Sequence, residues 1–186
     1  MTLGEMKAKV LAMIEELNPD IDLLTDDPDI ADKINHVTNQ VLFELSRMKK
    51  IPKYAEISVS AGDTVTFEDL AAAVGNEVYQ RATVGGVAYE PKAGGTILKI
   101  RESGTLEVDC FVYPERITGT TKDSYEFELS ADALEIMPYG IAADLLKSDV
   151  STEYGKVYAT RYETMLQRLD PRYQATSITI EGGVSI

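Results

Sequence analysis

Eight carboxylates and no lysine or arginine fall between residues 15 and 32: Glu15, Glu16, Asp20, Asp22, Asp26, Asp27, Asp29 and Asp32. Oxygen-rich stretches of this kind are what a hard cation such as calcium needs. Asn18, Asp20, Asp22 and Asp26 take the first, third, fifth and ninth places of a calcium-loop spacing. The sixth place, where the loop needs glycine for its sharp turn, is Leu23, and the twelfth is Asp29 where a bidentate glutamate belongs. Pro19 stiffens the second place. The stretch reads as a solvated acidic loop, and no metal is assigned to it.

The other reactive side chains are isolated. His36 is the only histidine and Cys110 the only cysteine, so neither an intrachain disulfide nor a multi-cysteine metal site can form. His36 falls between Ile34 and Val37 on a helical pattern and reads as a helix-surface or helix-contact residue; Cys110 reads as a small core residue in a strand. Gly85-Gly86 and Gly94-Gly95 carry no phosphate-loop signature and read as hairpin turns. No G-x-S-x-G and no H-E-x-x-H is present. Carboxylates are too numerous for any pair to be informative, and the absence of tryptophan lends no support to a sugar-stacking cleft. The expectation is a protein without catalytic residues and without a cofactor.

Composition narrows the class further. The 186 residues suffice for one domain or for one domain with an inserted lobe. A formal net charge of −13 argues against a protein that grips phosphate, which needs a basic face to release counterions. It is compatible with one that lets DNA slide past an acidic wall, and equally with plain solubility. No apolar run is long enough to span a bilayer, and the start M-T-L-G-E-M-K-A-K-V lacks the apolar core of a signal peptide, so the chain is expected to stay in the cytosol.

The elements that position these residues follow from periodicity. Thr2 and Glu5 form a capping-box pair ahead of Leu3, Met6, Val10, Met13, Ile14 and Leu17, which predicts a helix over 3–17. Asp27-Pro28 predicts a second helix start, with Ile30, Ile34, Val37, Val41, Leu45 and Met48 as its stripe as far as about Lys50. From Tyr54 the period becomes two. Turns at Ala61-Gly62-Asp63, Gly85-Gly86, Gly94-Gly95 and Ser103-Gly104 predict successive short antiparallel strands ending at Pro114. A helical turn over Glu68–Val74 closes at Gly75, a polar connector covers 117–124, and Tyr125–Leu129 is a last extended piece.

Residues 130–170 read as a helical hairpin. Ser130 is placed to cap it, Pro138 to interrupt and restart the first helix, and Ile141, Ala142, Leu145 and Leu146 form its stripe. The Ala142-Ala143 pair would let another helix approach closely. The second helix carries Tyr154, Tyr158 and Tyr162 at i, i+4 and i+8, assigned to subunit packing, and ends at Asp170-Pro171. The fold class is therefore α+β: a helical bundle from 1–53 and 125–170, with an antiparallel β lobe at 54–124 inserted into it and an extended tail at 171–186.

A short acidic helix start, a Pro-Tyr, an Ala-Ala-x-Leu-Leu helix, a polar break and a tyrosine-bearing helix ending in Leu-Asp-Pro make up about forty of these residues. In this combination the stretch resembles the C-terminal helical pair of the head-tail adaptor (connector or gatekeeper) proteins of tailed bacteriophages. The resemblance implies a structural protein of the virion, assembled in the bacterial cytoplasm, that binds a portal protein and a downstream tail component. It implies self-association into a ring, dodecameric in the virion, through which DNA passes without specific binding, and no membrane. It also implies a C-terminal arm reaching the portal, for which Ile178, Ile180, Val184 and Ile186 are the apolar candidates. The size of the β lobe departs from the almost wholly helical members of the group. From a different class, the sequence also fits a monomeric acidic cytosolic protein-binding module without catalytic activity.

Overall fold

The computed structural model describes residues 1–17, 28–84, 87–89, 96–147 and 153–169. The first helix, α1 (Leu3–Leu17), opens on the capping box the sequence predicts: the Glu5 amide donates to Thr2 Oγ1 at 3.2 Å and the Thr2 amide to Glu5 Oε2 at 2.8 Å. Its inward stripe is Leu3, Met6, Val10 and Ile14, all buried. The extended piece at 125–129 proves to be the partner of the N-terminus. Leu3 N donates to Tyr125 O at 2.8 Å, Gly4 N to Asp123 O at 2.9 Å, and Thr2 bridges Glu126. The second helix, α2 (Pro28–Met48), buries Ile34, Val37, Val41, Leu42 and Leu45 along one side.

The β lobe starts at β1 (Ile51–Val59), followed by β2 (Thr64–Thr66), β3 (Val78–Val84), β4 (Val87–Tyr89), β5 (Thr96–Lys99) and β6 (Gly104–Val112). They form two sheets, one ordered β1-β6-β3-β4 and one of β2 with β5. This corrects the expectation of successive hairpins. Only β3 and β4 pair as sequence neighbours; β6 is inserted between β1 and β3 instead of pairing with β5. The reason lies in length and alternation. β1 and β6 match over nine residues, from Ile51 opposite Val112 to Val59 opposite Gly104, with Val108, Cys110 and Val112 turned to the core. A pairing of that length aligns more apolar side chains than a four-residue β5 could. Pro52 sits inside β1, which begins at Ile51, three residues ahead of Tyr54, where the sequence period becomes two. It is tolerated because β1 is an edge strand. Between β2 and β3 lies α3 (Phe67–Val74), capped at Thr66 by a reciprocal pair with Asp69 and closed by Gly75 at φ 77°, a left-handed turn that favours glycine.

The C-terminal helices are α4 (Ala131–Leu146) and α5 (Glu153–Leu169). Two details differ from the expectation. Ser130 stands at the N-cap, but its side chain makes no capping bond; its hydroxyl instead bonds Asp132, and its carbonyl accepts from Leu134 N at 3.0 Å. Pro138 does not break the helix. It lies inside α4, buried, and costs the Leu134 carbonyl its intrahelical partner. The helix continues because the turns on both sides bury apolar groups: Ala133, Ile136 and Met137 before, Gly140, Ile141 and Ala142 after. Each large aliphatic buried there contributes about 1.5–3 kcal/mol, against about 3 kcal/mol for an interior proline. Apolar on most of its circumference, α4 is the helix that α1, α2 and α5 all pack against.

Bundle and lobe share one core. Ile51, Val78, Val108, Cys110 and Val112 belong to the same buried cluster as Leu3, Leu42, Leu45, Met137 and Ile141. At the seam Phe43 of α2 stacks on Tyr113 with ring centroids 5.7 Å apart, and the Arg116 guanidinium lies over the Phe43 ring, 5.0 Å from its centroid.

Candidate functional site

The tyrosine ladder of α5 can be followed at two of its three rungs. Tyr158 donates its hydroxyl to the Met13 carbonyl at 3.0 Å, tying α5 to α1, and its ring lies 6.1 Å from that of Tyr139. Tyr162 donates to Glu44 Oε2 at 2.6 Å, tying α5 to α2. Burial and the Glu44 carboxylate push the Tyr162 phenol far above the ordinary tyrosine range, so it stays a donor. Both are contacts within the subunit. Tyr154 lies in the first turn of α5 and its side chain is outside the described residues.

The small residues of α4 face its neighbours: Ala142 is buried, and Ala143 and Gly140 line one cleft with Gly155, Ala159 and Tyr162 of α5. A Cβ placed on Gly140 would stand 2.7 Å from Cε2 of Tyr162, and one on Gly155 would stand 3.3 Å from Leu146 Cβ. At position 140 glycine is required because the Tyr162 ring occupies the space a Cβ would take.

The apolar arm residues Ile178, Ile180, Val184 and Ile186 lie outside the described residues, and so do Asn18, Asp20, Asp22 and Asp26 of the calcium-like spacing. Among the described residues no group of three or more histidine, cysteine, aspartate or glutamate side chains is placed to hold a metal. His36 is on the surface of α2 with Gln40 Nε2 at 3.3 Å, and Cys110 is buried, its thiol pushed up by burial and by Asp109. None of the described helices is long and apolar enough to cross a membrane.

Residues that the sequence does not single out hold the frame. Asn39 on α2 donates Nδ2 to the Ile117 carbonyl at 2.8 Å and accepts from the Ile117 amide at 2.8 Å, clamping the connector after β6 to the bundle. Lys49 meets Asp132 at 3.1 Å, and Lys53 pairs with Glu128. Nothing in local sequence marks these pairs, because each joins segments more than seventy residues apart.

Two outward faces differ from the rest of the surface. On the β1–β6 pair, Tyr54, Glu56, Glu107, Asp109 and Phe111 project to solvent. Tyr54 lies opposite Asp109, and Glu56 directly opposite Glu107. The Tyr54 hydroxyl donates to Glu56 at 2.9 Å, and that bond with the surrounding carboxylates pushes its pKa up to about 12. On α5, a shallow concavity runs along Lys156, Val157, Arg161, Thr164 and Arg168, and no carboxylate lines it. Arg161 covers the Tyr139 ring at 4.6 Å.

No family model matches the chain, and no curated protein matches it.

Proposed function

We propose that the chain is a head-tail adaptor of a tailed bacteriophage or prophage, a ring component between portal and tail through which DNA passes. One observation carries the reading. The stretch that resembles the adaptor helical pair, residues 130–170, supplies α4, the helix around which segments from both ends of the chain are packed. The inserted position of the β lobe and the acidic balance of the chain, −13, are compatible with the same role.

Function in this reading is geometric. Rigid, identical subunits pack side by side by heterologous contacts that close on themselves, and the β lobe presents a surface to the next tail component. The tail 171–186 would reach the portal by strand addition, using the alternation in S-I-T-I. Removing residues 174–186 tests this. The truncated protein should keep the helical circular dichroism and melting temperature of the full chain, yet no longer co-sediment with the portal protein encoded in the same genome. Co-sedimentation unchanged by the deletion would remove the arm from the proposal, and a full-length chain that never co-sediments would remove the adaptor role.

A further inference from the structure

Among the described residues three large apolar side chains are exposed: Tyr54 at 55%, Phe111 at 38% and Val157 at 60%. They are not scattered. Tyr54 and Phe111 share the outer face of the β1–β6 pair, and Val157 lies on the outer face of α5. A lone exposed valine needs no explanation by itself; what sets the two faces apart is the charge around these groups.

The charges on the two faces are opposite. Around Tyr54 stand Glu56, Glu107 and Asp109, with Lys50 at the margin over the Phe111 ring at 5.2 Å. Around Val157 stand Lys156, Arg161 and Arg168. In a chain with 18 basic and 31 acidic residues, a concavity lined among the described residues by three cations and no carboxylate runs against the average, with exposed Glu163 standing at its Lys156 edge. The sheet face also carries a local cost: Glu56 and Glu107 are directly opposed on neighbouring strands, an arrangement of like charges that destabilises an isolated pair. A cation brought in from outside would relieve it.

We infer that the basic outer face of α5 receives the acidic aromatic face of β1–β6 from a second copy of this chain. This deepens the ring reading above and rests on it. Each face repels its own kind, so a two-fold contact of like with like is disfavoured and the contact is head-to-tail. Such a contact either closes as a ring or runs on as a filament. Tyr54 and Phe111 supply the aromatic anchors, and Val157 with Thr164 the apolar floor between cations.

The test uses the full-length chain in sedimentation velocity at low and high salt. Reversing one face with Glu56→Lys and Glu107→Lys, or the other with Lys156→Glu and Arg161→Glu, should weaken self-association by at least about tenfold, and combining all four should restore it. Raised salt should weaken the wild type and, by screening the new like-charge repulsion, should not weaken the single-face variants further. Because reversal at Arg161 also removes its contact with Tyr139, disulfide trapping provides a second readout. A mixture of Tyr54→Cys and Val157→Cys chains should cross-link between the two kinds and not within either. Cross-links within one kind, a chain that stays monomeric at every concentration, or self-association indifferent to both reversals would overturn the pairing. Rings on portal that survive both reversals would overturn it while leaving the adaptor reading in place. Head-to-tail association without portal binding would do the opposite.

Discussion

Gly140 and Tyr162 meet so closely that a single methyl group would not fit between them: Cε2 of the ring lies 2.7 Å from the position a Cβ would take. The ring cannot swing away cheaply, because its hydroxyl is held by Glu44 at 2.6 Å. Gly140→Ala should gain about 1 kcal/mol of helix propensity and lose about 1–3 kcal/mol to overpacking, for a net destabilisation. In a Tyr162→Ala background the sign should reverse, since the clash is gone and the propensity gain remains. Denaturant unfolding of the four proteins in this cycle checks it; equal effects of Gly140→Ala in both backgrounds would contradict the packing described.

The same tyrosine gives an alkaline signature. Its folded-state pKa is raised above the ordinary value of 10.0, so the protonated hydroxyl contributes stability that is fully present below pH 10.0 and is lost as pH rises beyond it. Tyr162→Phe should therefore lower the melting temperature at pH 8, through loss of a bond worth about 1 kcal/mol, and should make stability fall less steeply above pH 10.0. A variant whose alkaline profile runs parallel to that of the wild type would count against the Glu44 bond.

Thr38 is fully buried on α2, and among the described residues its hydroxyl has no hydrogen-bond partner. Replacing it by the isosteric valine removes an unsatisfied polar atom and keeps the shape. Thr38→Val should stabilise by about 1 kcal/mol, whereas Thr38→Ala, which also leaves a void, should not. Both are read from denaturant midpoints at constant slope.

Asn39 should behave in the opposite way. Asn39→Ala leaves the buried amide and carbonyl of Ile117 without partners and should cost about 1–3 kcal/mol. Hydrogen exchange localises the effect. The Ile117 amide should lose protection in the variant while amides in the middle of α4 keep theirs relative to the global stability.

How much of this was legible in the chain depends on how local each feature is. α1 was fully legible, because Thr2, Glu5 and the stripe behind them are read within one helix. The stripe of α2 and the turn of α3 closed by Gly75 were legible for the same reason, whereas the Thr66–Asp69 cap of α3 was not read. The sheet order was not. Hairpin signals between β5 and β6 favour a neighbour pairing, while the winning contact, β1 with β6, spans the whole lobe and is decided by matched alternation over nine residues. Pro138 misleads because its local penalty is visible in the sequence and the burial that outweighs it is not. The two outward faces illustrate the same limit: Glu56 and Glu107 are ordinary acidic residues until the register sets them opposite each other.

The most direct measurement of the central claim is electron microscopy of the full-length chain mixed with its candidate portal. The account predicts class averages in which a second ring of the chain, of twelve copies as the adaptor resemblance implies, sits on one face of the portal and keeps the channel open. Averages showing bare portal, with the chain left as a separate monomer at stoichiometric excess, would contradict it.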